Sequence, residues 1–316
     1  MKLVSYKFKN QPGTYRIGCV IDGKVADLQE GFRALLASKQ DKDSIHSIEH
    51  LLPADPGVFF SMGERAIEWA KEAYDYIVYH TNETFMFEMA EVSLRTPMST
   101  PSKIICVGKN YAEHAAEMKS DIPDYPVLFA KFSNALIGPE DNIEKSPSTN
   151  KLDYEVELAV IIGKEASHVN KANALNYIAG YSIGNDISAR DLQKRTPQWL
   201  QGKTLDRSTP VGPWVVTKDE IGDPNNLSIC SYVNGEKRQD SNTSHFIFDV
   251  PYLIEFISGL ITLKPGDIIL TGTPNGVGFA MDPPQFLRDG DRVKLEIEEI
   301  GELENKVVEP PLGSDF

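Results

Sequence analysis

Lys151-Leu152-Asp153-Tyr154-Glu155-Val156-Glu157-Leu158 runs directly into Ala159-Val160-Ile161-Ile162-Gly163. As a strand, it places Asp153, Glu155 and Glu157 on one face and Tyr154, Val156 and Leu158 on the other. After Glu157 no polar face remains, the pattern of a strand covered on both sides. Two carboxylates one pleat apart lie roughly 7 Å from each other along the backbone. At an effective dielectric of about 20 they repel by about 2–3 kcal/mol. A cation between them would relieve that repulsion, and a solvated acidic face accounts for the same pattern.

Around this stretch, the remaining pattern is strand-rich. Ile104–Val107, Val127–Phe132, Tyr154–Ile162, Tyr181–Asp186, Pro213–Thr217, Ser228–Val233, Asp267–Leu270 and Arg292–Ile297 read as strands. Lys171–Tyr177, Ala189–Lys194 and Val250–Ile257 read as helices, the second with a capping box from Ser188 to Asp191. The segment Thr96-Pro97-Met98-Ser99-Thr100-Pro101-Ser102 marks a boundary, giving a small α/β domain over 1–98 and a larger one over 99–316. The first contains a hairpin, Tyr15–Val20 and Lys24–Leu28 about an Asp22-Gly23 turn, then helices over Phe32–Ser38 and Asp43–Leu52. A longer helix from Pro56-Gly57 follows, with Met62, Ala66, Ala70, Tyr74 and Ile77 as its apolar stripe. The class is mixed α/β and strand-dominated, without repeats or low-complexity segments.

The 316 residues carry a net charge of −14 with no basic block, which argues against nucleic acid or an anionic membrane surface as partner. No apolar run approaches the length of a membrane span, and the first residues lack a signal-peptide core, so a cytoplasmic protein is expected. Cys19, Cys106 and Cys230 are scattered and flanked by apolar residues, the pattern of buried, inert thiols.

No chemical constellation occurs before residue 100; four follow it. Glu155 and Glu157 are joined by Asp186, which ends an apolar strand. Three carboxylates suit Mg²⁺ or Mn²⁺, while Asp186 alone also reads as a turn residue. His114 and Glu117 stand three apart on a helix, the spacing of a carboxylate-oriented general base and equally of a casual ion pair. Thr271-Gly272-Thr273-Pro274-Asn275-Gly276-Val277-Gly278 ends a strand in a turn whose N–H groups can cradle an anion, or simply turn. Lys203 stands in a short uncharged stretch, as a surface lysine also would.

Together, Gly108-Lys109-Asn110-Tyr111 with His114 and Glu117, Asp153 to Leu158, Asn185 to Gln193, Lys203, Pro265-Gly266-Asp267 and Thr271 to Pro274 resemble the fumarylacetoacetate hydrolase family in order and over roughly residues 100–300. The resemblance implies a β-roll catalytic domain, a homodimer, and a divalent metal on Glu155, Glu157 and Asp186. It implies His114 and Glu117 as a water-activating dyad on a mobile lid and Lys203 as the stabiliser of developing negative charge. Lys109, Arg190, Gln193, Gly272 and Thr273 are then the substrate contacts, with Lys109 standing where many members have arginine. The implied chemistry is cleavage of a C–C bond in an acylpyruvate, a small 2-oxo acid, through an enolate. Oxaloacetate decarboxylation and dienedioate isomerisation are alternatives on the same site, and a metal-binding scaffold without turnover is the alternative of another class.

Overall fold

The computed structural model describes residues 1–80 and 83–310. Its centre is the Val156–Ile162 strand, buried at every position. Val156, Leu158, Val160 and Ile162 enter one core, whereas Ala159 and Ile161 enter a second on the opposite face. That two-sided burial is the reason the run has no polar face.

Among the described residues, twelve strands form the sheet that contains it. From one end its path runs through Met86–Glu88, Lys24–Asp27, Arg16–Ile21, Lys2–Phe8, Thr209–Thr217, Ile178–Asn185, Val156–Ile162, Ile268–Leu270, Ile104–Gly108 and Val127–Lys131. A five-stranded sheet, ordered Glu236–Asn242, Ser228–Val233, Arg292–Ile297, Gly301–Val308 and Ile143–Glu144, contributes Ile229, Val293, Leu295 and Leu303 to the first core. The second core lies between the large sheet and the helices of the first hundred residues, through Phe32, Phe59, Phe60, Ala66, Ala70 and Ile77. The segment 1–98, expected as a domain, adds its strands to the same sheet, with Lys2 opposite Val216 and Leu3 opposite Val215.

The hairpin forms as expected, Asp22 and Gly23 both adopting positive φ as a tight two-residue turn requires. Several elements differ from the sequence reading. The first helix begins at Leu28, because the Asp27 carboxylate caps it by accepting from the Glu30 N–H at 2.9 Å. Residues 42–51 split into two short helices, Lys42–His46 and Ile48–Leu51. The long helix starts at Glu64, after a break at Gly63. A β-carbon on Gly63 would lie 2.3 Å from the Gly163 carbonyl, so the chain turns there against the sheet. Ala73 joins its apolar stripe, and Met62 and Tyr74 pack half-buried against the second core.

Lys171–Tyr177 is a 3₁₀ helix. The Ser188 capping box does not form, because Ser188 Oγ donates to the Asp186 carbonyl and Asp191 is held by Thr149 and the Asn150 N–H. Cys230 is half-buried beside Asp240, since it lies on the strand face opposite to the buried Ile229 and Ser231; Cys19 and Cys106 are fully buried. Burial pushes the Cys19 thiol up to about 12. Among the described residues, no helix is long and apolar enough to cross a membrane.

Candidate active site

Strand register brings the acidic group together. Val156 pairs with Asn185 and Glu157 with Gly184, so Asp186 follows its strand directly beside Glu155. The regular strand begins only at Val156, because side chains interrupt the ladder before it. Tyr154 N–H donates to the Asp153 carboxylate, Glu155 N–H to the Asn185 side chain, and Val156 N–H to Gln239. The chain thereby turns Glu155 inward. Oxygens of Glu155, Glu157 and Asp186, all three buried, lie within 4.8 Å of one another.

Cations meet most of this charge. Lys203, 3% exposed, donates to Glu155 at 2.7 Å and to Asp186 at 2.6 Å. Lys131 donates to the other Asp186 oxygen at 2.7 Å and to the Ile187 carbonyl at 3.0 Å. Arg190 Nε meets Asp153 at 2.8 Å and its Nη1 meets Glu155 at 2.7 Å. Burial alone would raise Glu155, but Lys203, Arg190 and His114 overcome it and hold the carboxyl well below its ordinary range. Lys203 is likewise held above the ordinary lysine value, as Asp186 and Glu155 outweigh its burial.

Glu157 is different. It has no direct ion pair among the described residues, and its Oε2 accepts from the Gly272 N–H at 2.8 Å. Burial, Asp186 and Glu155 push its carboxyl well above the usual range. Three convergent hard oxygen donors, one lacking a cation partner, fit a small divalent ion such as Mg²⁺ or Mn²⁺.

His114 lies on the six-residue helix Ala112–Glu117 and is 6% exposed. Its Nδ1 is 3.1 Å from Glu117 Oε2, and it borders the same cavity, about 60 Å³, as the acidic triad. With Nδ1 held by Glu117, Nε2 is the nitrogen left to exchange a proton. Arg190, Gln193, Lys203, Thr273 and Lys109 also line the cavity, so it gathers most of the residues expected from the sequence. Glu117 stands behind His114. Gly272 does not line the cavity, its N–H being engaged by Glu157. Arg190 Nη2 is buried without a partner among the described residues, an unused donor for an anionic group.

The Gly-rich turn does cradle anions, and they are the protein's own carboxylates. Gly272 N–H serves Glu157, Gly276 N–H serves Glu117, and the N–H groups of Gly278 and Phe279 serve the two oxygens of Asp153. Lys131, Asp153 and Trp199 were not among the residues expected at the site. The signal for Lys131 was present: it is the one charge ending the apolar strand Val127–Lys131. Trp199 borders the cavity and packs edge-on against Phe129; a β-carbon on Gly108 would come within 2.5 Å of its ring.

The family profile described as fumarylacetoacetate (FAA) hydrolase C-terminal matches residues 103–308. A mitochondrial oxaloacetate tautomerase of Bos taurus, FAHD2A, is 43% identical over 266 residues, 84% of this chain and 83% of that protein. The fumarylacetoacetate hydrolase of Exiguobacterium antarcticum superposes with a TM-score of 0.77 at 35% identity, covering 98% of this chain and all of the other. A maleylpyruvate hydrolase of Sphingobium sp. SYK-6, solved with manganese(II) and pyruvate, gives a TM-score of 0.73 at 29% identity over 98% of this chain.

Proposed function

This chain belongs to the fumarylacetoacetate hydrolase family, and from that premise we propose that it is a divalent-metal-dependent enzyme moving a proton on the enol of a small 2-oxo acid. The substrate placed first is oxaloacetate, interconverted between keto and enol forms. The observation that carries this reading is one buried cavity holding a carboxylate-oriented imidazole, an unpartnered guanidinium nitrogen and an acidic triad. The 43% identity to a named oxaloacetate tautomerase supports the choice of substrate.

A divalent ion held by Glu155, Glu157 and Asp186 would supply Lewis-acid polarisation of the C2 oxygen. Arg190 binds a substrate carboxylate through Nη2, and the Gln193 amide lies beside it, its oxygen turned to Arg190 Nη1 at 3.2 Å. Lys203 offsets negative charge developing near Glu155 and Asp186. His114 Nε2 takes a proton from C3 and returns it to oxygen, or the reverse, while Glu117 stabilises the charged ring. The low exposure of His114 limits exchange of that proton with water.

Hydrolysis of acylpyruvates is the second reading. The same dyad can activate a water, and the maleylpyruvate hydrolase shares the fold over nearly the whole chain. Decarboxylation and diene isomerisation draw on the same stabilised enol. The homodimer implied by the family stands as part of the proposal, to be measured by light scattering.

The decisive experiment follows the ultraviolet absorbance of enol-oxaloacetate, and separately pyruvate release from acylpyruvates, each with Mn²⁺ or Mg²⁺. His114→Ala should slow tautomerisation by about 10²–10⁴-fold. Catalysis of hydrolysis alone would transfer the assignment to the second reading, and inactivity in both assays and in decarboxylation and diene isomerisation would leave a metal-binding protein without turnover.

A further inference from the structure

We propose that Tyr154 and Gly276 are positioning residues for the His114–Glu117 dyad, Tyr154 fixing the glycine whose N–H holds the Glu117 carboxylate. The inference rests on the reading of His114 as the proton carrier. Glu117 sits at the end of a six-residue helix, and its side chain is 20% exposed. Bound to the imidazole alone, such a carboxylate keeps several rotamers. Here a second anchor removes that freedom. Glu117 Oε2 faces His114 Nδ1, and Oε1 accepts from the Gly276 N–H at 2.8 Å, from 159 residues along the chain.

Gly276 is suited to the task by its lack of a side chain. Its φ is +100°, and a β-carbon there would lie 2.1 Å from the Arg238 carbonyl oxygen. The turn therefore lies flush against the Glu236–Asn242 strand and presents its N–H to Glu117. On its other side, the Tyr154 hydroxyl donates to the Gly276 carbonyl at 3.0 Å. Tyr154 directly precedes Glu155, so the backbone that carries Glu155 and Glu157, two of the three triad carboxylates, also fixes the partner of the base. A shift of either would be felt by both.

Tyr154→Phe keeps the buried ring and removes only the donor. One net hydrogen bond corresponds to about two- to tenfold, and the loss is expected in kcat, with KM moving less than about twofold. In a Glu117→Ala background the same substitution should change nothing further, since the carboxylate through which it acts is gone. Hydrogen exchange at the Gly276 amide should quicken in Tyr154→Phe, a readout independent of turnover. An equal loss in both backgrounds would overturn the proposal, as would a Gly276 amide no less protected than in the wild type. Were the wild type inactive on every 2-oxo acid, the proposed function would fail, and amide exchange would still decide the positioning.

Discussion

Lys131–Asp186 and Lys71–Asp219 close to nearly the same distance, 2.7 and 2.6 Å, between the same residue types. The first pair is wholly buried beneath the candidate active site, whereas the second is 59% and 46% exposed between the long N-terminal helix and the 3₁₀ turn Lys218–Glu220. Water makes them different interactions. The exposed pair is screened and exchanges readily with solvent, so it contributes little. The buried pair is held by its neighbours: Asp186 also takes Lys203, and Lys131 also takes a backbone carbonyl. Removing one member there strands a charge in a low dielectric. An acidic pattern becomes a site where water leaves it and cations converge on it.

The largest effect should come from breaking the buried pair. Lys131→Met is expected to lower the unfolding free energy of the metal-free protein by about 3–5 kcal/mol in urea melts. A loss below about 1 kcal/mol would place Lys131 with the surface lysines and dissolve the contrast.

Next comes Glu157, the one triad carboxylate without a direct ion pair among the described residues. Mn²⁺ at about a hundredfold excess over its dissociation constant should raise stability by about 2.7 kcal/mol, read as a higher Tm. Glu157→Gln removes charge that burial, Asp186 and Glu155 disfavour. The variant should therefore be no less stable than the wild type in EDTA, yet should lose most of the gain with Mn²⁺. Full retention of that gain would exclude Glu157 as a ligand.

Smallest of all is the surface pair. Lys71→Ala should change stability by less than about 1 kcal/mol at pH 7, and less still in high salt. Burial would raise Asp219, but hydrogen bonds from Lys71 and Thr217 draw its carboxyl down to about 2. A depressed folded value stabilises fully above the unfolded value of about 3.9 and is lost as pH falls toward 2. Lys71→Ala and wild-type stabilities should converge over that window in acid titrations. A gap that persists at pH 2 would mean that Lys71 acts through packing.

Legibility in the sequence followed the range of each interaction. The Asp22-Gly23 turn needs two residues of permitted φ, and the hairpin formed where the sequence placed it. Helix ends were less legible, because Asp27 as a cap and Gly63 as a break depend on what lies across from them. The Ser188 capping box failed for the same reason: Asp191 found Thr149, 42 residues away.

By itself the sequence determined the spacings from which the site is built: Glu155 and Glu157 two apart, His114 and Glu117 one helical turn apart, and a turn rich in unblocked N–H groups. These rest on local backbone geometry, which repeats every few residues and can be read without knowing the fold. Tertiary structure alone decided that Lys203 is buried, that Lys131 joins Asp186 across 55 residues, and that the glycine turn clasps the protein's own carboxylates. Periodicity says which face a side chain is on, but burial and charge compensation depend on what stands opposite, and only the folded chain supplies that.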